Sequence, residues 1–193
     1  MRINYKKTNA VLFVLIILIN TYVILAPFLP RLEFWRQHGD GSKQQLTQQV
    51  QSATVPKNQP NQLIIPDMLL SQPIHEGPIA TTYANLRKGI WRWPGGSTPD
   101  KPGNTVLVGH RFTYTNPRGV FYYLDKVKVG SQIALFWNNK KYIYRVETVK
   151  VVPKTDVSVQ GPTDDTRLTI YTCTPLWHPV DRLVVVAKPE VAP

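Results

Sequence analysis

Hydrophobic positions follow two patterns in this chain. From Ala10 to Leu29 the sequence reads AVLFVLIILINTYVILAPFL, twenty positions without a charge. As a helix, with a rise of 1.5 Å per residue, such a run spans roughly 30 Å, the thickness of a bilayer's hydrocarbon core. Arg2, Lys6 and Lys7 lie on its amino side, and the positive-inside tendency keeps such a cluster in the cytoplasm. Residues 10–30 are therefore predicted to be a single transmembrane anchor, with 1–9 cytoplasmic and the rest extracellular. A cleaved signal peptide fits less well. The run is longer than a usual signal core, and Leu25-Ala26-Pro27 lacks a small-x-small cleavage pattern.

Residues 31–61 are polar and centred on KQQLTQQVQS, with Pro56 and Pro60 near the end. They read as an extracellular linker. As flexible coil the linker would reach roughly 30 Å, and a helical stalk in its Gln-rich portion is the alternative. From Gln62 the texture changes to short runs rich in Val, Ile, Tyr and Thr: TVLVGH (105–110), QIALFW (132–137), YIYRVETVKVV (142–152), RLTIYTC (167–173) and RLVVVAK (182–188). Their length and composition predict strands. Asn138-Asn139 between alternating residues predicts a hairpin. Residues 62–193 are thus expected to form one all-β domain, a sandwich or closed barrel, with one helical turn near Thr82–Leu86 or Val120–Leu124.

Composition narrows the chemistry. The 193 residues suit one domain plus accessories, and 17 Pro against 11 Gly argue against a bundle of long helices. A single Cys excludes an intramolecular disulfide and paired-cysteine metal sites. The net charge of +11 divides into +5 for residues 1–61 and +6 for 62–193. The second share is scattered among strands, so it reads as a solvated surface or attraction to an anionic envelope, with no nucleic-acid partner. Asp164-Asp165 is an isolated acidic pair, whereas calcium commonly takes six to eight oxygens. No metal and no other cofactor is expected.

Candidate reactive groups stand at strand ends. Cys173 closes LTIYT, His110 closes TVLVG after a glycine that permits close backbone approach, and Arg182 opens the last strand. Adjacent strands would bring together a thiol, an imidazole and a guanidinium, the set that thiol-dependent acyl transfer requires. A free thiol with pKa near 8.5 is only about 3% thiolate at pH 7, so a base or a fixed cation beside it promotes attack. Histidine can move protons to and from the amines. Arginine stays charged, which suits it to a substrate carbonyl or a tetrahedral oxyanion. His178, five residues past Cys173 in TPLWHPVD, is a competing base or a groove residue, and Trp177 or Tyr171 could line the groove.

These same segments carry a family resemblance. TIYTCTP (169–175) resembles the T-L-x-T-C signature of sortases, with Ile170 for Leu, and DRLVVV (181–186) resembles the arginine-bearing strand that follows it. VLVGHR (106–111) is similar to the histidine strand, FYYLDKVKVGSQI to the segment after it, and IPDMLLSQPIHEG (65–77) to the opening strands. The resemblance implies a sortase-type closed β-barrel of about eight strands with one or two short helices. It also implies a membrane-anchored cysteine transpeptidase acting on surface proteins that bear a C-terminal L-P-x-T-G-like signal. Carried over, Cys173 is the nucleophile, His110 the acid/base and Arg182 the positioning and oxyanion residue. Thr172, Trp177 and His178 are expected at the substrate. The implied partners are the signal-bearing protein and an amine acceptor such as a cell-wall precursor peptide. Hydrolysis through the same thioacyl intermediate, or pilin polymerisation, are the alternatives; no apolar segment follows Lys188, which weakens the second. Gly130-Ser131, where many members have Gly-Asp, leaves the subclass open.

Overall fold

In a computed structural model of the chain, residues 5–25, 32, 34, 36, 41–52, 55, 61–113 and 118–190 are described. They divide into two compact units, Met1–Ser42 and Lys43–Pro193. The first contains α1 (Tyr5–Leu25), 21 residues of which none is buried. It is long and apolar enough to cross a membrane. It begins five residues before the apolar run, taking in Lys6 and Lys7. The carboxy-terminal edge of the expected span, at 26–30, lies outside the described residues. Asn20, the one amide in the run, donates from Nδ2 to the Ile16 carbonyl at 2.7 Å, which leaves one donor fewer facing an apolar surround.

The second unit is a closed eight-stranded barrel. Its strands are β1 (Gln62–Ile65), β2 (Leu70–His75), β3 (Ile90–Arg92), β4 (Asn104–Val108), β5 (Gln132–Trp137), β6 (Lys140–Pro153), β7 (Arg167–Thr174) and β8 (Asp181–Pro189). They run around the barrel in the order β1-β2-β3-β4-β7-β8-β6-β5, with β5 back against β1. Two neighbouring pairs, β2/β3 and β4/β7, are parallel and the rest antiparallel. Asn138 and Asn139 have φ of 49° and 59° and join β5 to β6, the two left-handed residues a type I′ hairpin demands. The short helix α3 (Thr82–Lys88) stands where one helical turn was expected. A 3-10 turn at Leu124–Lys126 adjoins the other expected place.

The period of two along each strand sorts side chains between two faces. On β8, Leu183, Val185 and Ala187 join the main core with residues from all the other strands, so that face is the barrel interior. Val184 points the other way, to a second apolar cluster with Trp91, Val106, Val108 and Tyr171. A third cluster closes the outer face of β1 and β5. There the Gln-rich segment forms α2 (Ser42–Gln51), and Val50 and Leu46, four residues apart, pack on Ile64, Ala134 and Phe136. Lys141 donates from Nζ to the carbonyls of Gln49 and Ser52, at 3.0 and 2.6 Å, satisfying acceptors left open at that helix end. This part of the linker is therefore helical and packed on the barrel from Lys43 onward.

Candidate active site

β4, β7 and β8 lie side by side, and their outer faces build a stack of rungs. Val106, Thr169 and Val186 are register partners, and so are Val108, Tyr171 and Val184. Two positions further along stand Cys173 on β7 and Arg182 on β8, and two residues past Val108, just beyond the end of β4, stands His110. Cys173 is the direct partner of Arg182 across β7 and β8, and Arg182 Nη1 donates to Cys173 Sγ at 3.3 Å.

His110 lies just past the end of β4, and two side-chain ties bracket it against β7. Thr172 Oγ1 donates to the Gly109 carbonyl at 2.8 Å. Arg111 Nη1 donates to Thr174 Oγ1 at 2.8 Å. His110 is thus held between two cross-links and Cys173 between the same two. Arg111 is itself buried. It donates from Nε to the Tyr122 carbonyl and pairs through Nη2 with Asp125 at 3.2 Å.

Gly109 is required by close approach. A Cβ there would lie 2.5 Å from Val120 Cγ1 and 2.8 Å from Phe121 Cδ2. The packed segment also fixes the histidine backbone, since Phe121 N–H donates to the His110 carbonyl at 3.0 Å and Gly119 N–H to Arg111 at 3.1 Å. His110 is half-buried, and this burial holds its pKa below the ordinary histidine value, so the neutral imidazole is the resting form at neutral pH. Below it in the stack, Tyr171 is pushed up to about 12, first by burial, and its hydroxyl accepts from Gln160 Nε2 at 2.7 Å. It is a packed neutral phenol and part of the floor.

A sequence model described as the sortase domain matches residues 63–190. The chain belongs to the sortase family. It is similar to sortase D of Bacillus subtilis, 32% identical over 97 residues that make up 50% of this chain and 44% of that protein. It is likewise similar to sortase A of Listeria monocytogenes, 33% identical over 110 residues, 57% of this chain and 48% of that one. The chain spans about half the length of these relatives. Streptococcus pneumoniae sortase C superposes with a TM-score of 0.60 at 27% identity, over 68% of this chain and 66% of the other. These names carry the letters D, A and C, so the likeness fixes the family and leaves the subclass open.

Three further residues were expected at the substrate of this sortase. Trp177 is 62% exposed, with its ring edge-on to Phe112 at 4.6 Å between centroids. That contact links the β7–β8 connection to the segment after His110. His178 is exposed on the same connection. Thr172 is buried and its hydroxyl is engaged with Gly109, so it acts on the register of the two strands. Arg111 was not singled out by sequence, although its place directly after the histidine was a usable signal.

His110 also lines a cleft of about 830 Å³, together with Tyr83, Leu86, Arg87 and Lys88 of α3 and with Arg118 and Val120. Cys173 is not among its lining residues; His110 is the member of the trio that lines it. Among the described residues, no group of three or more His, Cys, Asp or Glu side chains could hold a metal ion.

Proposed function

We propose that this sortase is a membrane-anchored transpeptidase that cleaves a C-terminal sorting signal of a surface protein and joins the protein to an amine. The observation that carries the reading is the 3.3 Å contact of Arg182 Nη1 with Cys173 Sγ, beside a His110 segment tied to β7 through Thr172–Gly109 and Arg111–Thr174. As Sγ attacks the scissile carbonyl carbon, the neutral imidazole of His110 takes the thiol proton. The Arg182 guanidinium, always charged, donates to the oxygen that becomes anionic. Collapse of the tetrahedral intermediate breaks the C–N bond, and the imidazolium gives its proton to the departing amine. A new amine then attacks the thioester, passes its proton to His110 and expels the sulfur, which recovers that proton from the imidazolium and restores the resting pair.

The anchor is α1, with Lys6 and Lys7 on the cytoplasmic side and the barrel outside the cell. The signal is of the L-P-x-T-G type and the acceptor is a cell-wall precursor peptide. Trp177 and His178 flank the groove that the signal occupies. Incubating the full chain in detergent with fluorescent sorting peptides and a primary amine tests the assignment. It predicts cleavage and a ligated product that both vanish in Cys173→Ala. Ligation by that variant, or cleavage without ligation at any amine concentration, refutes it; the second result makes the protein a hydrolase.

A further inference from the structure

Arg87 and Lys88 are exposed at the end of α3, and neither has an ion-pair or hydrogen-bond partner among the described residues. Cations in a last helical turn complement the helix dipole, which accounts for the charge and not for its facing a cleft beside the candidate base. Arg118 adds a third cation to that cleft, and no Asp or Glu lines it among the described residues. Arg92, Arg145 and Arg167 each hold a carboxylate, whereas Arg87 and Lys88 hold none among the described residues.

We infer that the cleft between α3 and Val120 is the acceptor site, and that it selects an amine carrying an anionic group through Arg87 and Lys88. This rests on the transpeptidase reading. An acceptor amine must surrender a proton to His110, so it approaches from the side of the cleft that His110 lines. Arg87 and Lys88, with no Asp or Glu among the described lining residues, attract an anion and repel a cation over about a Debye length, raising capture of one acceptor over another of equal nucleophilicity. Tyr83 and Leu86 give the same wall an apolar surface on which the acceptor's carbon chain rests.

The test compares matched acceptors on the acylated full-length enzyme. One pair is Nα-acetyl-lysine as its free acid and as its amide. A second is phosphoethanolamine and ethanolamine, which separates phosphate from carboxylate recognition. Acylation and hydrolysis are followed alongside. Wild type is expected to favour the anionic member of at least one pair by about five- to tenfold in kcat/KM, the preference residing in KM and fading in high salt. Arg87→Glu/Lys88→Glu is expected to abolish or invert it, with acylation, hydrolysis and capture by hydroxylamine unchanged. Equal use of both members of both pairs by wild type overturns the inference, as does a preference that survives the double reversal or a defect that falls on acylation. If no acyl-enzyme forms with any sorting peptide, the transpeptidase reading itself fails and this inference with it.

Discussion

Two walls of the same barrel are finished in different ways. On the β1/β5 wall an amphipathic helix, α2, lays Leu46 and Val50 over Ile64, Ala134 and Phe136. Apolar burial has no direction, so a shift of a few tenths of an ångström there costs little. On the β4/β7/β8 wall the apolar stack stops after the Val108–Tyr171–Val184 rung and a polar rung takes its place. Its neighbours are tied by directional bonds: Thr172 to Gly109, and Arg111 to Thr174 and Asp125. A site whose chemistry depends on placement uses contacts that fail sharply when misplaced. A wall that only has to be covered does without them.

The contrast breaks most visibly at the proposed nucleophile. Cys173→Ala is expected to abolish transfer with an unchanged circular dichroism spectrum and melting temperature. Next come Arg182→Ala, losing roughly 10²–10³ in kcat/KM, and His110→Ala, losing roughly 10²–10⁴. Arg182→Lys should recover little, since it keeps the charge and lacks the planar fork. If either alanine variant stayed within a factor of three of wild type in steady-state kinetics, its place on the rung would have no chemical meaning.

Arg111→Ala probes the ties. It leaves Thr174 and the Tyr122 carbonyl short of a donor and should cost about 1–3 kcal/mol in denaturant unfolding. Because the bracket around His110 opens, kcat should fall even at temperatures where the variant is fully folded. On the helix-covered wall, Val50→Ala should cost about 1 kcal/mol in the same unfolding experiment and leave kcat/KM alone. A kinetic defect in Val50→Ala without one in Arg111→Ala would reverse the contrast between the walls.

The smallest effect concerns pH. Burial lowers the pKa of His110, so its neutral form persists below the ordinary value of 6.5 and is lost as pH falls through the lowered value. The acid limb of kcat/KM should therefore lie below pH 6.5. Val120→Ala, which opens the packing beside Gly109 and the cleft, should move that limb up toward the ordinary value. A limb above 6.5 in the wild type would contradict burial as the dominant influence.

Much of this architecture was legible in the residues because the signals were local. Asn138-Asn139 announced the hairpin, and short runs of β-branched residues announced β4 to β8. The strand ends at His110, Cys173 and Arg182 could be read as candidates one at a time. Their common face was also present in the text, since Val106, Val108 and His110 alternate just as Thr169, Tyr171 and Cys173 do. What brings the three alternations together is the pairing of β7 with β8 and of β4 with β7, and the second joins segments about 60 residues apart, which leaves no local trace. The fate of the Gln-rich segment was undecidable for the same reason. Leu46 and Val50 are too few to make a helix without a surface to cover, and that surface comes from β1 and β5. The cleft is still further from the sequence, since α3 and the segment after His110 meet only in the folded barrel.

The central claim is that Cys173 carries the cargo while Arg182 and His110 hold and protonate it. Intact-mass and peptide-level mass spectrometry on the full chain, quenched in acid milliseconds to seconds after mixing with a sorting peptide, tests it most directly. The account predicts a thioester adduct on Cys173 that disappears on adding an amine and forms at least 100-fold more slowly in Arg182→Ala. An adduct on another residue, or signal cleavage by Cys173→Ala at the wild-type rate, would contradict it.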